Sequence, residues 1–155
     1  MRIESFLRQS PVFQTSRIAR KTEAALNAML RKEDVTFLES LILAAIFFEK
    51  KGEARPSDLA ETFQTTRGNV SHCISSLEAK GLVKRKIDIE DARAFQLMLS
   101  PTGKKRAARI VGILDRMQSR FEQEIGATAL EKMLREMMTF EGVCSRLAES
   151  AKNAP

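Results

Sequence analysis

Apolar residues recur with the period of a helix along most of this 155-residue chain and with the period of a strand in one short region. Ser10 and Pro11 supply an N-cap and a first helical turn. Ile18, Ala25, Leu26, Met29 and Leu30 then predict a helix over roughly 11 to 32. TFLE, Thr36 to Glu39, has the composition of a capping box, and the helix it opens is apolar almost all round through Phe48, with its end expected at Gly52. So little polar surface predicts a central core helix. Pro56 begins a short helix, SDLAETF, with Leu59, Ala60 and Phe63 on one side. After the turn QTT, Val70, Cys73, Ile74 and Leu77 predict a helix from Arg67, which Gly81 closes. LVKRKI and AFQLML read as two short strands of a hairpin, with Phe95, Leu97 and Leu99 on one side and DIEDAR as the connection. Ser100 and Pro101 repeat the cap and first-turn pairing. A long helix follows on Ala107, Ile110, Val111, Leu114, Met117, Phe121 and Ile125 and stops at Gly126. TALE, Thr128 to Glu131, predicts a second capping box, opening a last helix with Leu130, Met133, Leu134, Met137, Met138, Phe140, Cys144 and Leu147.

The fold class is therefore mostly α with a small β-hairpin. Hydrophobic residues at 43% and charged residues at 30% suit a soluble globular chain. The longest wholly apolar run, Leu41 to Phe48, is far short of the roughly 20 residues a membrane-spanning helix needs. MRIESFLRQS mixes charges into its apolar positions and has no signal-peptide core, which predicts a cytoplasmic protein. The net charge of +6 is unevenly spread: +2 over 1–54, +4 over 55–106 and 0 over 107–155. The excess falls on the hairpin and the helices before it, and a basic stripe there fits a polyanionic partner.

A short helix, a tight turn, a second helix with a bare polar face and a basic hairpin make a winged helix-turn-helix. The second helix has the width of a DNA major groove. Its first turn brings Thr65, Thr66, Arg67, Gly68, Asn69, Ser71 and His72 to bases and phosphates, while the free backbone N–H groups favour an anion. Lys84, Arg85 and Lys86 on the first strand fit phosphate contacts; their bland alternative is a solvated strand edge. Thr65 and Thr66 could equally serve only to cap the helix.

The run from Ser57 to Ala107 resembles the DNA-binding core of MarR-family transcriptional regulators: LA in the short helix, NVSH, LEAKGLVKRK, a wing tip ending in DAR, and LSPTGKK opening the next helix. The flanking helices resemble that family's dimerisation region. The resemblance implies dimerisation helices over 1–34, a DNA-binding domain over 35–100 and dimerisation helices over 101–155. It implies an obligate homodimer on double-stranded DNA, acting as a repressor that a small aromatic or lipophilic effector releases from a pseudo-palindromic operator. The family's wing reads Asp, any residue, Arg or Lys, Asp, any residue, Arg, which falls on Asp88 to Arg93. Arg93 takes the place of the minor-groove arginine and Asp91, with Asp88, that of its support. Glu90 departs from the pattern, putting an acid where a base is usual.

Leu130, Met133, Leu134, Met137, Phe140, Cys144 and Leu147 would form the dimer interface; lining a small-molecule pocket is the competing role for Met133, Met137 and Met138 beside Phe140. The effector's own residues are not legible. Peroxide-sensing relatives use a cysteine in the first helix, and here no cysteine precedes Cys73. With one histidine, two distant cysteines and no phosphate-cradling or nucleophile motif, neither a metal site, a cofactor nor an enzyme is expected. The alternative from another class is a winged helix serving as a protein interaction module without DNA binding.

Overall fold

Caps and tight turns at the expected residues divide the chain into seven α-helices and one hairpin among the residues described by the computed structural model, 2–49, 54–87 and 95–152. The elements are α1 (Arg2–Gln9), α2 (Pro11–Leu30), α3 (Phe37–Phe48), α4 (Pro56–Thr62), α5 (Arg67–Ala79), β1 (Val83–Ile87), β2 (Phe95–Leu99), α6 (Pro101–Ile125) and α7 (Ala127–Lys152), with a 3-10 turn at Arg31–Glu33. They form two compact units, Met1–Val111 and Gly112–Pro155.

In the first unit, Ser10 caps α2 by accepting from the Phe13 amide at 3.3 Å. The capping box of α3 is complete: Thr36 Oγ1 accepts from Glu39 N at 3.3 Å and Glu39 Oε2 accepts from Thr36 N at 2.7 Å. Ile42, Leu43, Ala44 and Ile46 of α3, Leu59 of α4, Val70, Ile74 and Leu77 of α5, Leu82, Val83 and Leu97 of the hairpin region, and Ala107 and Ile110 of α6 build the core.

The first turn of α6 sits directly against that core. Ser100 Oγ accepts from Gly103 N at 2.9 Å and donates to the carbonyl of Gly81 at 2.7 Å, while Ser100 N donates to the carbonyl of Leu82 at 2.9 Å. A Cβ on Gly103 would lie 1.9 Å from that Leu82 carbonyl oxygen. Glu33 fastens the 3-10 turn to the same helix: Arg109 Nη2 is 2.8 Å from its carboxylate, and Arg106 Nη1 donates to its carbonyl at 3.1 Å. The Arg109 hydrogen bond outweighs burial and holds the Glu33 carboxyl below the usual glutamate range.

In the second unit, Gly126 at φ +88° breaks the chain in a single residue, so that α6 ends at Ile125 and α7 starts at Ala127. The expected capping box at Thr128 is therefore absent: Thr128 already lies inside the first turn of α7, and the carbonyl of Gly126 accepts from Leu130 N at 2.9 Å. Three other expectations also shift. Helix α1 has no counterpart in the predicted elements. The core helix ends at Phe48 instead of Gly52, which lies outside the described residues, and its last aromatic pair is exposed, Phe48 by 70%. Of the periodic residues of α2, Leu26 and Leu30 are buried, but Ile18 and Met29 face outward in the single chain.

Candidate nucleic-acid interface

The turn between α4 and α5 places the exposed face of α5. Gln64 takes the left-handed conformation, φ +48°, and α4 closes with Gln64 N donating to Glu61 O and Thr65 N to Ala60 O, both at 3.0 Å. That pair of bonds is the Schellman arrangement, which usually recruits glycine; a side chain here accepts local strain to keep the turn tight. Thr66 is the N-cap of α5, its Oγ1 accepting from Asn69 N at 3.1 Å, and Thr65 Oγ1 accepts from Asn69 Nδ2 at 3.2 Å. Helical spacing then splits α5 in two. Val70, Ile74 and Leu77 are fully buried, while Arg67, Gly68, Asn69, Ser71 and His72 all lie exposed on the other side. The expected polar face thus exists as a contiguous surface around the start of α5, with Thr65 half-buried at its edge.

The other end of α5 is anchored. Gly81, φ +69°, closes the helix through Gly81 N to Glu78 O and Leu82 N to Leu77 O, both at 2.9 Å. Lys80 Nζ donates to the carbonyl of Asp34 at 2.7 Å and pairs with Glu39 at 3.1 Å. Glu39 is 3% exposed. Burial pushes its carboxyl up, but hydrogen bonds from the Ser76 hydroxyl, the Thr36 amide and Lys80 prevail and hold it below the usual range. The sequence marked Glu39 only as half of a capping box. Its second task, tying α3 to α5, pairs residues far apart in the chain and leaves no local signal. Beside this cluster a recess of about 270 Å3 is lined by Asn27, Arg31, Asp34, Val35, Thr36, Glu39 and Lys80.

Strands β1 and β2 pair antiparallel, with Val83 opposite Leu99, Lys84 opposite Met98, Arg85 opposite Leu97 and Lys86 opposite Gln96. Leu97 N reaches the carbonyl of Ala54 at 3.0 Å, tying the hairpin to the start of the α4 region. Lys84, Arg85 and Lys86 are all exposed, but Arg85 is turned onto α5, its Nε 2.8 Å from Glu78 Oε2. The wing-tip residues Asp88, Glu90, Asp91 and Arg93 lie outside the described residues.

Cys73, half-buried on α5, has its thiol pushed up by burial and by Glu39, against a smaller pull from Lys80, so the reactive thiolate is disfavoured. Among the described residues, no group of three or more His, Cys, Asp or Glu is placed to hold a metal ion, and no helix is long and apolar enough to cross a membrane. Along α7, Leu130 is buried within the chain, Phe140 and Cys144 are half-buried, and Met133, Leu134, Met137 and Leu147 are exposed, Leu147 by 65%.

This arrangement has close parallels. The HTH-type transcriptional regulator BilQ of Clostridioides difficile is 20% identical over 104 residues, spanning 67% of this chain and 70% of that protein. The structure of Staphylococcus aureus MepR in complex with DNA shares the fold at a TM-score of 0.78 and 20% identity, over 86% of this chain and 98% of that one. The transcriptional repressor CouR bound to a 23-mer DNA duplex does so at 0.75 and 20%, over 87% and 94%. CouR of Rhodococcus jostii has also been seen with p-coumaroyl-CoA. A profile of the MarR family matches residues 33–94, the stretch from the 3-10 turn through α3, α4, α5 and β1 into the wing. Residues 33–94 thus match the model of the MarR family, and the fold around them is the winged helix-turn-helix of the MepR and CouR structures.

Proposed function

We propose that the protein is a sequence-specific regulator of transcription that binds double-stranded DNA as a homodimer and represses until an effector releases it. One observation carries the reading. A helix capped by Thr66 presents an exposed polar face at its start, Arg67, Asn69, Ser71 and His72, beside a hairpin whose Lys84 and Lys86 project to solvent. A helix start of this kind offers backbone N–H groups and a positive dipole end to phosphate, and side chains to base edges. Asn69 is the leading base-reading candidate, since an Asn side chain matches the paired donor and acceptor of adenine; Arg67 and His72 flank it. MepR and CouR, both seen on DNA, support the class of partner.

Met133, Leu134, Met137 and Leu147, among the apolar residues that α7 leaves exposed, support self-association, since so long an apolar row on one helix is costly to leave in water. Two copies would place their α5 helices in successive major grooves of a site of about 16 to 20 base pairs. CouR's acyl-CoA ligand supports a small-molecule effector in this chain as well, and the recess beside Lys80 abuts the element that anchors α5.

Selecting bound fragments from a genomic library and measuring their affinity over a range of salt tests the reading. Recovery of a common pseudo-palindrome, with affinity falling steeply as salt rises, is the expected result. Binding that is independent of salt, or no recovered motif, would refute it. In the wing, Arg93→Ala is expected to lower affinity for the recovered site by about tenfold or more, as loss of a minor-groove arginine should, with the dimer's mass by light scattering unchanged. Equal affinity of variant and wild type removes Arg93 from the interface.

A further inference from the structure

Arg85 stands in the middle of β1, and the period of the strand sets it on the same side as buried Val83 and opposite buried Leu97. On that side its guanidinium is held by three groups. Nε lies 2.8 Å from Glu78 Oε2, Nη2 donates to Ser75 Oγ at 3.1 Å, and Cζ stands 4.7 Å from the centre of the Phe95 ring. Glu78 and Ser75 belong to α5 and Phe95 to β2, so one side chain bridges the recognition helix and both strands of the wing. Lys84 and Lys86 alternate to the other side, are exposed, and have no ion pair with a described residue.

A two-stranded hairpin has little stability of its own, so its direction depends on what fastens it to the domain. Residues 80–82 link α5 to β1 along the chain, Leu97 N ties β2 to the carbonyl of Ala54, and Arg85 ties the middle of β1 back to α5. Its planar fork, with one edge on a carboxylate and one face on an aromatic ring, is a fixed geometry that a lysine cannot reproduce. With its charge already met by Glu78, Arg85 displaces few counterions from DNA. We propose that Arg85 is a positioning residue that sets the angle between the wing and the recognition helix, and that the phosphate contacts of this strand belong to Lys84 and Lys86. This rests on the DNA-binding reading above.

The test compares salt slopes of affinity for a selected duplex, followed by fluorescence anisotropy, with hydrogen exchange of the hairpin amides in the DNA-free protein. Lys84→Ala and Lys86→Ala are each expected to lower the slope by about 0.9, the value of one phosphate contact. Arg85→Gln is expected to weaken binding about tenfold, as losing a charge-assisted contact does, while leaving the slope unchanged. Glu78→Gln should cause the same loss, and the double variant no more, because the two residues act as a unit. Arg85→Lys, which keeps the charge and loses the fork, should bind as weakly as Arg85→Gln. Without DNA, Arg85→Gln should speed exchange in β1 and β2 with little change in melting temperature.

A slope lowered by Arg85→Gln, wild-type binding by Arg85→Lys, or tighter binding by Glu78→Gln would each make Arg85 a phosphate contact and overturn the proposal. Unchanged hairpin exchange would overturn the brace directly. If the wild-type chain binds no duplex, the functional reading and the lysine assignment fall together, and the exchange measurement alone decides the brace.

Discussion

Gly103→Ala is expected to cost at least about 3 kcal/mol, at the top of the range for overpacking a core. The single added carbon would sit 1.9 Å from the Leu82 carbonyl oxygen and 2.9 Å from its carbonyl carbon, and both are backbone atoms. A side chain could swing aside; Leu82 cannot. It is fully buried, its amide closes α5 on the Leu77 carbonyl, and its own carbonyl accepts from Ser100 N. Relieving the clash therefore means moving α6 away from the core or breaking the link between α5 and β1. Either would disturb the wing as well as the fold. Against a net stability of roughly 5 to 15 kcal/mol for a typical domain, such a loss is large. Equilibrium denaturation of wild type and variant checks it; a midpoint indistinguishable from wild type would show that α6 does not pack on Leu82 as described.

Gly112→Ala supplies the control, on the same helix with the same chemistry. There the new carbon meets only the Nη1 of Arg116, at 3.3 Å, the far end of a flexible side chain. The expected sign is reversed, a gain of up to about 1 kcal/mol from better helix propensity. Two identical substitutions on one helix thus separate propensity from packing.

The features that were legible in the sequence are those whose physics closes within a few residues. Ser10, Thr36 and Ser100 each accept a hydrogen bond from an amide three residues on, and Gly81 takes the left-handed position that ends α5. The polar face of α5 was legible because helical spacing assigns Val70, Ile74 and Leu77 to one side and leaves Asn69 and His72 on the other. Thr128 misled for the same local reason. TALE has the composition of a capping box, but Gly126 had already broken the chain, so the threonine never occupied the cap. Helix α1 leaves only a weak periodic signal because Ile3, Phe6 and Leu7 are spread among charged residues. What remained hidden were pairings across the chain: Glu33 with Arg109, 76 residues apart, and Glu39 with Lys80, 41 apart. A glutamate that faces solvent and one that ties α3 to α5 look alike until the fold brings their partners to them.

Lys80→Met is expected to destabilise the protein by about 2 to 3 kcal/mol near neutral pH, because removing one partner of a buried pair leaves the other charge uncompensated. The full cost of such a break is moderated here, since Glu39 keeps its bonds from the Ser76 hydroxyl and the Thr36 amide. The pH dependence identifies the cause. In the wild type the Glu39 carboxyl is held below its ordinary value of 4.5, so its stabilising contribution is fully present above that value and is lost as pH falls through the folded one. Burial, the largest influence on Glu39, raises its pKa, and without Lys80 less opposes it. The variant's carboxyl therefore shifts upward. The gap in stability between wild type and Lys80→Met should be widest near neutrality and should narrow on acidification, as both carboxyls take up a proton and the missing ammonium ceases to matter. Denaturation curves for both proteins at neutral and acid pH measure that gap; a gap independent of pH would assign the loss to the packing of the lysine's aliphatic stem and not to its charge. Lys80 also joins α5 to the carbonyl of Asp34, so the same substitution should weaken DNA binding by more than its effect on the folded fraction explains. Wild-type affinity in the folded variant would show that the first turn of α5 keeps its place without its far end being anchored.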